Sequence, residues 1–543
     1  MPSLKHLLYS TLWVLLPLFA LAQPADPQLV PKSWHLLDPE QDQVQGISVE
    51  KTYLTLLKDQ PSRTITVAII DSGIDIDHED LKDVLWTNDR EIEGNSIDDD
   101  KNGYVDDVHG WNFIGGKEGN VNEDTDELTR VYKKLKNEFE GVDEKKISKK
   151  QRTAYEDYKK KKEKFEKLAT KNKEQYERYL SLYQNISESV DTLKLLLETT
   201  ELSPEIVGKF ETSDPTLLFA KGLVLNIFKN VGATANLEGF LEELKEAVDH
   251  FGRIANYGYN ESFDPRSIVG DNYNDPYEQG YGNSDVKGPD PMHGTHVAGI
   301  IAANRKNELG VKGIADNVKI MSVRAVPNGD ERDKDVANAI RYAVDNGAQI
   351  INMSFGKSLS PQKEAVDKAV KYAERKGVLL IHAAGNSSDN IDEEQNFPTR
   401  FYEGGKEAKN WIEVGASGPG ADKNLAADFS NYGKKSVDLF APGVDIYSTL
   451  PENEYKKLNG TSMASPVTAG VAAVLLSYFP DLSPLQVKEI IRQSSRKFDN
   501  LVVTKPGGKG EAKFSELSNT GGLLNLYEAV KMAQQTKQGT LVK

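Results

Sequence analysis

The sequence predicts an α/β fold in which a parallel sheet is covered by helices on both faces and is interrupted by a long helical segment. Short apolar runs rich in Val and Ile recur along the chain, the first at residues 65–70. From about residue 318, segments with helical periodicity separate these runs. This alternation is typical of βαβ units, whose helices connect and cover parallel strands. A charged stretch without proline begins at residue 128 and breaks the alternation.

Length and composition limit the number of domains and the kinds of site that the protein can contain. The chain has 543 residues, enough for two to four domains or for one large domain with an insertion. Its 67 Lys and Arg against 83 Asp and Glu give a net charge of −16, which argues against non-specific binding to nucleic acid. The absence of Cys excludes disulfides, a cysteine nucleophile and thiolate metal sites.

The first residues have the pattern of a signal peptide. Lys5 precedes an apolar run over residues 7–21, and small residues at positions 20 and 22 suit cleavage before Gln23. The alternative is a membrane anchor, but the run is short for a span and contains Ser and Pro. We therefore expect residues 1–22 to be removed and the protein to be exported, to the periplasm or the medium, without a stable membrane span.

The elements of the αβ part follow one another in the order that the pattern predicts. An amphipathic helix is expected near residues 48–57. After the first run, strands are predicted at residues 318–326, 348–354, 377–383, 411–416 and 437–440. Helices are predicted at residues 333–346, 361–376, 463–479, 484–495 and 523–534.

The interrupting segment, residues 128–251, is predicted to be an inserted helical hairpin or small bundle. Apolar residues recur there at alternating spacings of three and four, as in a coiled coil, at Tyr176, Tyr179, Tyr183, Ile186, Val190, Leu193 and Leu197. A disordered charged linker is the alternative, and it fits residues 145–164 but not this apolar seam. The predicted division is therefore 23–127 and 252–543 for the αβ domain, with 128–251 inserted.

Four short motifs carry reactive or polar side chains at the ends of predicted elements. Asp71 begins Asp-Ser-Gly directly after the run 65–70. His293 opens His-Gly-Thr-His at the start of an apolar helix. Asn386 follows Ala-Ala-Gly after another apolar run, and Ser462 lies in Gly-Thr-Ser-Met-Ala at the start of a helix of small residues.

Together these residue types can perform nucleophilic catalysis. A serine hydroxyl needs a base with a pKa near 7, which imidazole provides, and a carboxylate fixes the tautomer of that imidazole. The carboxyl ends of parallel strands are where such groups converge, and helix N-terminal N–H groups favour a developing oxyanion. Taken singly, Asp71 fits a turn, Asn386 a loop and Ser462 a helix cap. The joint occurrence of all four favours catalysis.

The four motifs, in the chain order Asp, His, Asn, Ser, resemble those of the subtilisin-like serine peptidases, the subtilase family. The resemblance covers roughly residues 65–115 and 285–535 and implies the subtilisin-like fold. It implies these roles: Asp71 as orienting carboxylate, His293 as general base and then acid, Ser462 as nucleophile, and Asn386 as oxyanion donor. No cofactor is required for that chemistry.

Asp71 and His293 are 293 − 71 = 222 positions apart, because the insertion lies between them, whereas in the family the two are usually closer in sequence. The insertion is therefore expected beside the cleft, as a lid, a docking arm for a partner or a contact for self-association. Spacing does not separate His293 from His296, and only the resemblance selects the former. We expect His296 to be packed inside the apolar helix.

The resemblance also implies how a peptide binds. Family members add the substrate as a strand between two backbone edges, here near Gly329 and near Ser354, Phe355 and Gly356. Acidic residues follow both Gly329 and Asn386. One hypothesis is that they favour substrates with Lys or Arg near the scissile bond. The simpler interpretation is solvated acid on an acidic protein.

An acidic segment predicts a calcium site. Residues 98–109 begin with the D-x-D-x-N-G of a calcium loop, with candidate ligands Asp98, Asp100, Asn102, Tyr104 and Asp106. The twelfth position is His109, so the bidentate glutamate of an EF-hand is missing. An acidic Asn-Gly turn without an ion is the alternative.

The sequence therefore predicts an exported serine endopeptidase that acts on proteins or peptides through an acyl-enzyme. A related acyl transferase, peptide ligase or esterase with the same residues is one alternative. A non-catalytic scaffold acting through the insertion is another, and the complete set of four catalytic residues argues against it.

Overall fold

The structure is a computed structural model that describes residues 30–232 and 236–537. The predicted signal peptide, residues 1–22, lies outside the described residues. The strands are β1 Ile65–Asp71, β2 Gly110–Asn112, β3 Gly115–Gly116, β4 Gly119–Asn120, β5 Val318–Arg324, β6 Ile350–Met353, β7 Leu379–Ala383, β8 Trp411–Ser417, β9 Leu439–Pro442, β10 Ile446–Leu450, β11 Glu454–Leu458, β12 Arg496–Lys497, β13 Val502–Thr504, β14 Glu511–Lys513 and β15 Gly522–Leu523.

The helices cover both the αβ part and the insertion. They are α1 Pro39–Asp42, α2 Val49–Leu54, α3 Glu127–Phe139, α4 Arg152–Leu196, α5 Pro204–Lys209, α6 Pro215–Val231, α7 Leu237–Arg253, α8 Arg266–Val269, α9 Met292–Ala302, α10 Asp333–Asp345, α11 Lys363–Lys376, α12 Thr461–Tyr478, α13 Pro484–Gln493 and α14 Leu526–Lys537.

One large sheet organises the αβ part. Within the described residues its strands follow the order β12-β15-β9-β8-β7-β6-β1-β5-β2. The pairings from β2 through to β15 are parallel, and β12 joins β15 in the antiparallel sense. β1 is central, with Val67 opposite both Ile320 and Ile350. Its near-continuous apolar sequence fits a strand that is covered on both faces.

Helices cover both faces of this sheet, as the sequence predicts. On one face, α9 and α12 join a large apolar cluster together with α2, α13 and α14. On the other face, α10 and α11 pack with β5, β6 and Trp411. The parallel sheet between helices confirms the predicted fold class.

In the part of the chain that the structure describes, α12 is the one helix long and apolar enough to cross a membrane. It is a core helix, because 89% of that apolar window is buried inside the protein. Its small residues Ala464, Ala469, Ala472 and Ala473 let it lie close to the sheet.

The segment between β4 and α8 is helical, in agreement with the seam. Its long helix α4 packs against α6 and α7, with Ile186, Val190 and Leu193 almost fully buried. Nearer the sheet, the base of α4 packs on α3 through Phe165 and Tyr132, whose ring centroids are 4.6 Å apart. Leu359 of the αβ part joins this second cluster, so the inserted helices rest on the domain at that point.

Candidate active site

Asp71 is placed by the central strand. It is the last residue of β1, and β5 pairs with it through Arg324. The side chain is 3% exposed, and its Oδ1 accepts a hydrogen bond from the Ser72 amide at 2.8 Å. An apolar strand held on both sides therefore presents one buried carboxylate at the carboxyl edge of the sheet.

His293 meets this carboxylate from the first turn of α9. Its Nδ1 lies 2.7 Å from Asp71 Oδ1. The neighbouring Gly294 makes this approach possible, since a Cβ there would lie 2.1 Å from the Gly73 carbonyl oxygen. The side chain of His293 is 35% exposed, so a substrate can reach the other face of the ring.

The surroundings favour the charged form of His293. Burial lowers the pKa of the imidazole, but the charge of Asp71 and its hydrogen bond outweigh burial, with a further contribution from Asp290, and the net shift is upward. The carboxylate also fixes the tautomer, because a proton on Nδ1 leaves Nε2 free to accept. Among the described residues Nε2 has no hydrogen-bond partner.

Ser462 is the second residue of α12, a helix that begins at the Gly460 turn. Its side chain is half-buried, and its hydroxyl donates to the Ser354 carbonyl oxygen at 3.0 Å. In the described part of the chain this hydroxyl makes no hydrogen bond to His293. Rotation about the Cα–Cβ bond re-aims the hydroxyl, and catalytic hydrogen bonds commonly form only when substrate is bound.

Asn386 and the start of α12 converge on one point. The Asn386 Oδ1 accepts from the amide and from the hydroxyl of Thr461, both at 2.9 Å, which fixes the orientation of the side-chain amide. A Cβ built on Gly460 would lie 3.5 Å from Asn386 Nδ2 and 3.5 Å from the Ser462 amide nitrogen. The two donors therefore flank a common space beside Ser462. Thr461 lies within the serine motif, but its contact with Asn386 was not predicted from the sequence.

The predicted substrate edges flank the end of β1. Ser354 follows β6 and accepts the Ser462 hydroxyl, and Phe355 and Gly356 come next in the chain. Gly329 lies on the continuation of β5, where Asn328 exchanges backbone hydrogen bonds with Asn122 and Asp124. β1 ends between β5 and β6, so the two predicted edges lie on either side of its carboxyl end. Their role in substrate binding stays a prediction.

His296 is packed inside the protein, as predicted. Its side chain is fully buried, and Nε2 lies 3.1 Å from the Lys456 carbonyl oxygen. Burial, together with the charge of His293, lowers the pKa of His296 to about 4 against weaker opposing backbone contacts. Because the His296 ring is also fully buried, it is not available to a substrate from solvent.

The predicted calcium ligands are only partly gathered. Asp98 and Asp100 lie with Glu91, each offering one carboxylate oxygen within 4.8 Å of the others. The loop is held by its own hydrogen bonds: the Asp98 carboxylate accepts from the Asn102 amide at 3.0 Å. Asp106 instead accepts from the backbone at Asn95 and Ser96. Asn102 Oδ1 accepts from the Tyr104 amide at 2.8 Å. Glu91 lies outside the D-x-D-x-N-G pattern, so no sequence signal pointed to it.

The curated proteins with similar sequences include a serine proteinase, a subtilisin and a thermitase. The chain is 42% identical over 214 residues to the thermophilic serine proteinase of Bacillus sp. strain AK1, covering 38% of this chain and 49% of that protein. It is 40% identical over 200 residues to subtilisin DY of Bacillus licheniformis, covering 36% of this chain and 67% of that protein. For thermitase of Thermoactinomyces vulgaris the identity is 40% over 186 residues, covering 34% of this chain and 61% of that protein. The chain thus spans about half to two thirds of the length of these relatives.

Among solved structures, a serine-to-alanine mutant of the protease domain of PatA aligns with 45% of this chain and 82% of its own, at 27% identity and a TM-score of 0.37. The family model described as the subtilase family matches residues 62–515, which is more than half of the sequence. On that match, the chain belongs to the subtilase family.

Proposed function

We propose that the protein is a serine endopeptidase that hydrolyses peptide bonds through an acyl-enzyme on Ser462. The observation that carries this proposal is the 2.7 Å contact between Asp71 Oδ1 and His293 Nδ1 beneath an exposed ring face. That contact prepares His293 Nε2 to take a proton. The names of the relatives, among them a serine proteinase and a subtilisin, support the same activity.

The first half of the reaction forms the acyl-enzyme. His293 Nε2 takes the proton of the Ser462 hydroxyl as the oxygen attacks the substrate carbonyl carbon. The carbonyl oxygen becomes negative and receives hydrogen bonds from Asn386 Nδ2 and the Ser462 amide, which need no reorientation at that moment. The C–N bond then breaks, and the imidazolium gives its proton to the leaving amine.

The second half releases the acid. A water molecule gives a proton to His293 and attacks the ester carbonyl, and the Ser462 oxygen leaves and recovers that proton. Asp71 stays ionised and stabilises the imidazolium in both halves. Because the base must be neutral and its pKa is raised, kcat/KM should fall as the pH drops through a value above 6.5.

Covalent labelling tests this proposal most directly. A fluorophosphonate should label the wild-type protein, and Ser462→Ala should abolish both labelling and casein cleavage. The matched control is Ser354→Ala, which removes a hydroxyl next to Ser462 but keeps the carbonyl that holds it. Labelling that persists in Ser462→Ala would contradict the assignment. Peptide products extended by an added amine would indicate acyl transfer instead of hydrolysis.

We also propose that Glu91, Asp98 and Asp100 hold a structural calcium ion. Oxygen ligands of this kind suit calcium. Among the described residues one cation, Arg90, pairs with the cluster, through Asp100 at 2.9 Å, so a bound ion would compensate the remaining negative charge. The ion would stabilise the loop and take no part in the chemistry. Addition of EDTA should lower the melting temperature of the wild type and not that of Glu91→Gln/Asp98→Asn. Equal melting temperatures with and without chelator would contradict the site.

Export is proposed from the pattern of residues 1–22. Expression of the full-length protein in a bacterial host should yield a periplasmic or secreted product that begins near Gln23, measured by N-terminal sequencing. A cytoplasmic product that keeps residues 1–22 would contradict this.

A further inference from the structure

The insertion contains one helix, α6, whose outer face is apolar. α6 packs Val224 into the apolar cluster that it forms with α4 and α7. On the opposite side lie Leu218, Gly222 and Leu225, spaced four and then three positions apart, so they share one face of the helix. Leu218 is 49% exposed, and the adjacent Phe219 is 45% exposed. α6 therefore has one apolar face in the cluster and a second one in solvent.

The neighbouring helix α7 shows that this exposed face is unusual for the insertion. Both helices have 17 residues and contribute to the same cluster. On α7 the exposed positions after residue 241 are occupied by ionisable side chains, namely Glu242, Glu243, Lys245, Glu246, Asp249 and His250. On α6 no exposed position between residues 215 and 228 carries a charge. An exposed apolar face of this kind marks an interaction site.

The charges at the two ends of α6 indicate what this face binds. Asp214 caps the N-terminus, where its Oδ1 accepts from the Thr216 amide at 2.8 Å. Lys229 lies in the last turn. Asp214 precedes Gly222 by 222 − 214 = 8 positions, and Lys229 follows it by 229 − 222 = 7. Both side chains are exposed, and within the described part of the chain neither has an ion-pair partner.

A second copy of α6 running in the opposite direction matches this arrangement. At 1.5 Å per residue, Asp214 lies about 12 Å and Lys229 about 10.5 Å from Gly222 along the axis. If two antiparallel copies cross at Gly222, each Asp214 comes beside the partner's Lys229. The same patch then serves both copies, as a two-fold axis requires. A parallel pair would place like charges together, so charge complementarity favours the antiparallel arrangement.

Gly222 allows the two helices to approach closely. A Cβ built on it would have no heavy atom of the described residues within 4 Å, so nothing in the fold of one chain requires a glycine there. Glycine inside a helix also lowers the stability of the helix. Where two helices cross, the missing side chain permits a short distance between the axes, and the apolar residues on both sides of the glycine can interdigitate.

We propose that the protein forms a two-fold symmetric dimer through the outer face of α6, with the two helices antiparallel and crossing at Gly222. The face belongs to the insertion alone, so this inference does not depend on the proposed endopeptidase function. One helix pair is smaller than a standard interface of about 1,600 Å², and we therefore expect a dissociation constant on the order of 10 μM.

Sedimentation equilibrium of the full chain tests the dimer and its direction. Between about 1 and 100 μM the wild type should change from the mass of one chain to that of two. Asp214→Lys and Lys229→Asp place like charges at both ends of the pair, so each should weaken dimerisation about tenfold or more. A mixture of these two variants should dimerise again, because one chain is then positive at both ends and the other negative.

The mixture also controls for the helix cap. Asp214→Lys loses the cap of α6 in the mixture as it does alone, so only the charge complementarity is restored. A mixture that stays monomeric would overturn the antiparallel pairing, and a wild type that stays monomeric at about 100 μM would overturn the dimer. A monomer that binds phosphatidylcholine vesicles, and loses this binding in Leu218→Lys, would assign the face to lipid instead.

Crosslinking locates the crossing point. The chain has no cysteine, so Gly222→Cys reports only its own pairing. Oxidation should link this variant into dimers, because a disulfide forms only between closely placed Cα atoms. Gln184→Cys, at an exposed position of α4, is the matched control and should stay unlinked. Gly222→Glu places like charges at the crossing and should give a monomer without lowering the melting temperature. A dimer that persists in Gly222→Glu would overturn the proposal.

Discussion

The catalytic groups and the inserted helices are attached to the same sheet by different forces. Asp71, His293 and Ser462 project from β1, α9 and α12, which are embedded in a continuous apolar cluster. The first turn of α3, where the insertion begins, is held to the sheet domain by buried ion pairs, above all Glu127 with Lys357, next to the apolar contact of Leu359. Apolar burial is non-directional and tolerates changes of charge at its edge. A buried ion pair is costly to break, because one removed partner leaves an uncompensated charge.

The difference separates activity from stability in the two regions. Substitutions that preserve shape at the catalytic edge should change rates and leave the folding free energy nearly intact. Substitutions in the ion pairs of the insertion base should change the folding free energy first. Four experiments test this contrast, in decreasing order of expected effect.

The largest effect is expected for Asp71→Asn. The change keeps the shape of the side chain but removes the charge that orients and stabilises the imidazolium, so kcat should fall by about 10⁴-fold. The urea midpoint should stay close to that of the wild type, because the surrounding β1 packing is unchanged. Peptide hydrolysis and denaturation are measured on the same preparation. A large fall in the midpoint would show that the catalytic edge also depends on charge for its stability.

Lys357→Met should have the opposite effect: a large loss of folding stability. The Lys357 side chain is 1% exposed and bridges Glu127 and Asp333, which are also buried. Leaving these carboxylates without their cation should lower the free energy of unfolding by about 3–5 kcal/mol, measured by urea denaturation. Lys209→Met is the control on the insertion, since the Lys209–Glu205 pair is exposed and should contribute less than about 1 kcal/mol. Equal effects at the two sites would refute the contrast.

The residues of these two predictions differ in how far their roles could be predicted from the sequence. Asp71 and Ser462 lie in short motifs at element ends, so their types and neighbours pointed to their chemistry. The apolar seam at Ile186, Val190 and Leu193 was also predictable, because apolar periodicity is a local property of the sequence. Lys357 and Glu127 are 230 positions apart and belong to no periodic pattern. Such a pair becomes visible only when the fold brings the two side chains together.

Other omissions have the same kind of cause. The β10–β11 hairpin was not predicted because β11 is charged and only partly buried, without an apolar run. Its position beside α9 is nevertheless what covers His296, through the Lys456 carbonyl. Local chemistry was predictable, and the contacts between distant segments were not.

Asn386→Ala should have an intermediate effect, again on activity. Removing one oxyanion donor typically lowers kcat by about 10²–10³-fold in acyl-transfer enzymes, with a smaller change in KM. The substitution also removes the acceptor for Thr461, so Thr461→Val serves as the comparison that disturbs the support and keeps the donor. Steady-state kinetics should show a smaller loss of kcat in Thr461→Val. Similar losses would indicate that Asn386 acts mainly by holding the start of α12.

The smallest effect is expected in the pH dependence of the unfolding free energy, to which a buried histidine of the apolar cluster and a paired glutamate of α3 contribute over different pH ranges. Burial, aided by the charge of His296, lowers the pKa of His35 to about 3, so this ring stays neutral in the folded protein. An unfolded histidine takes up a proton below about pH 6.5, and stability that is complete above that pH is lost as the pH falls toward 3. Glu127, whose pKa is lowered to about 2 by Arg130 and Lys357 in spite of burial, contributes above about pH 4.3 and loses its effect only below it. Between pH 7 and pH 5 the histidine effect therefore acts without the glutamate effect.

His35→Gln isolates this contribution, because glutamine does not titrate. The difference in unfolding free energy between wild type and His35→Gln should shift by about 2 kcal/mol toward the variant from pH 7 to pH 5. His250→Gln on α7 is the matched control; partial desolvation and Arg253 lower the pKa of that ring too, but His250 is far more exposed to solvent than His35. The shift should be smaller there. A difference for His35→Gln that stays constant with pH would mean that the ring is protonated inside the apolar cluster, and that this core accommodates charge as the insertion base does.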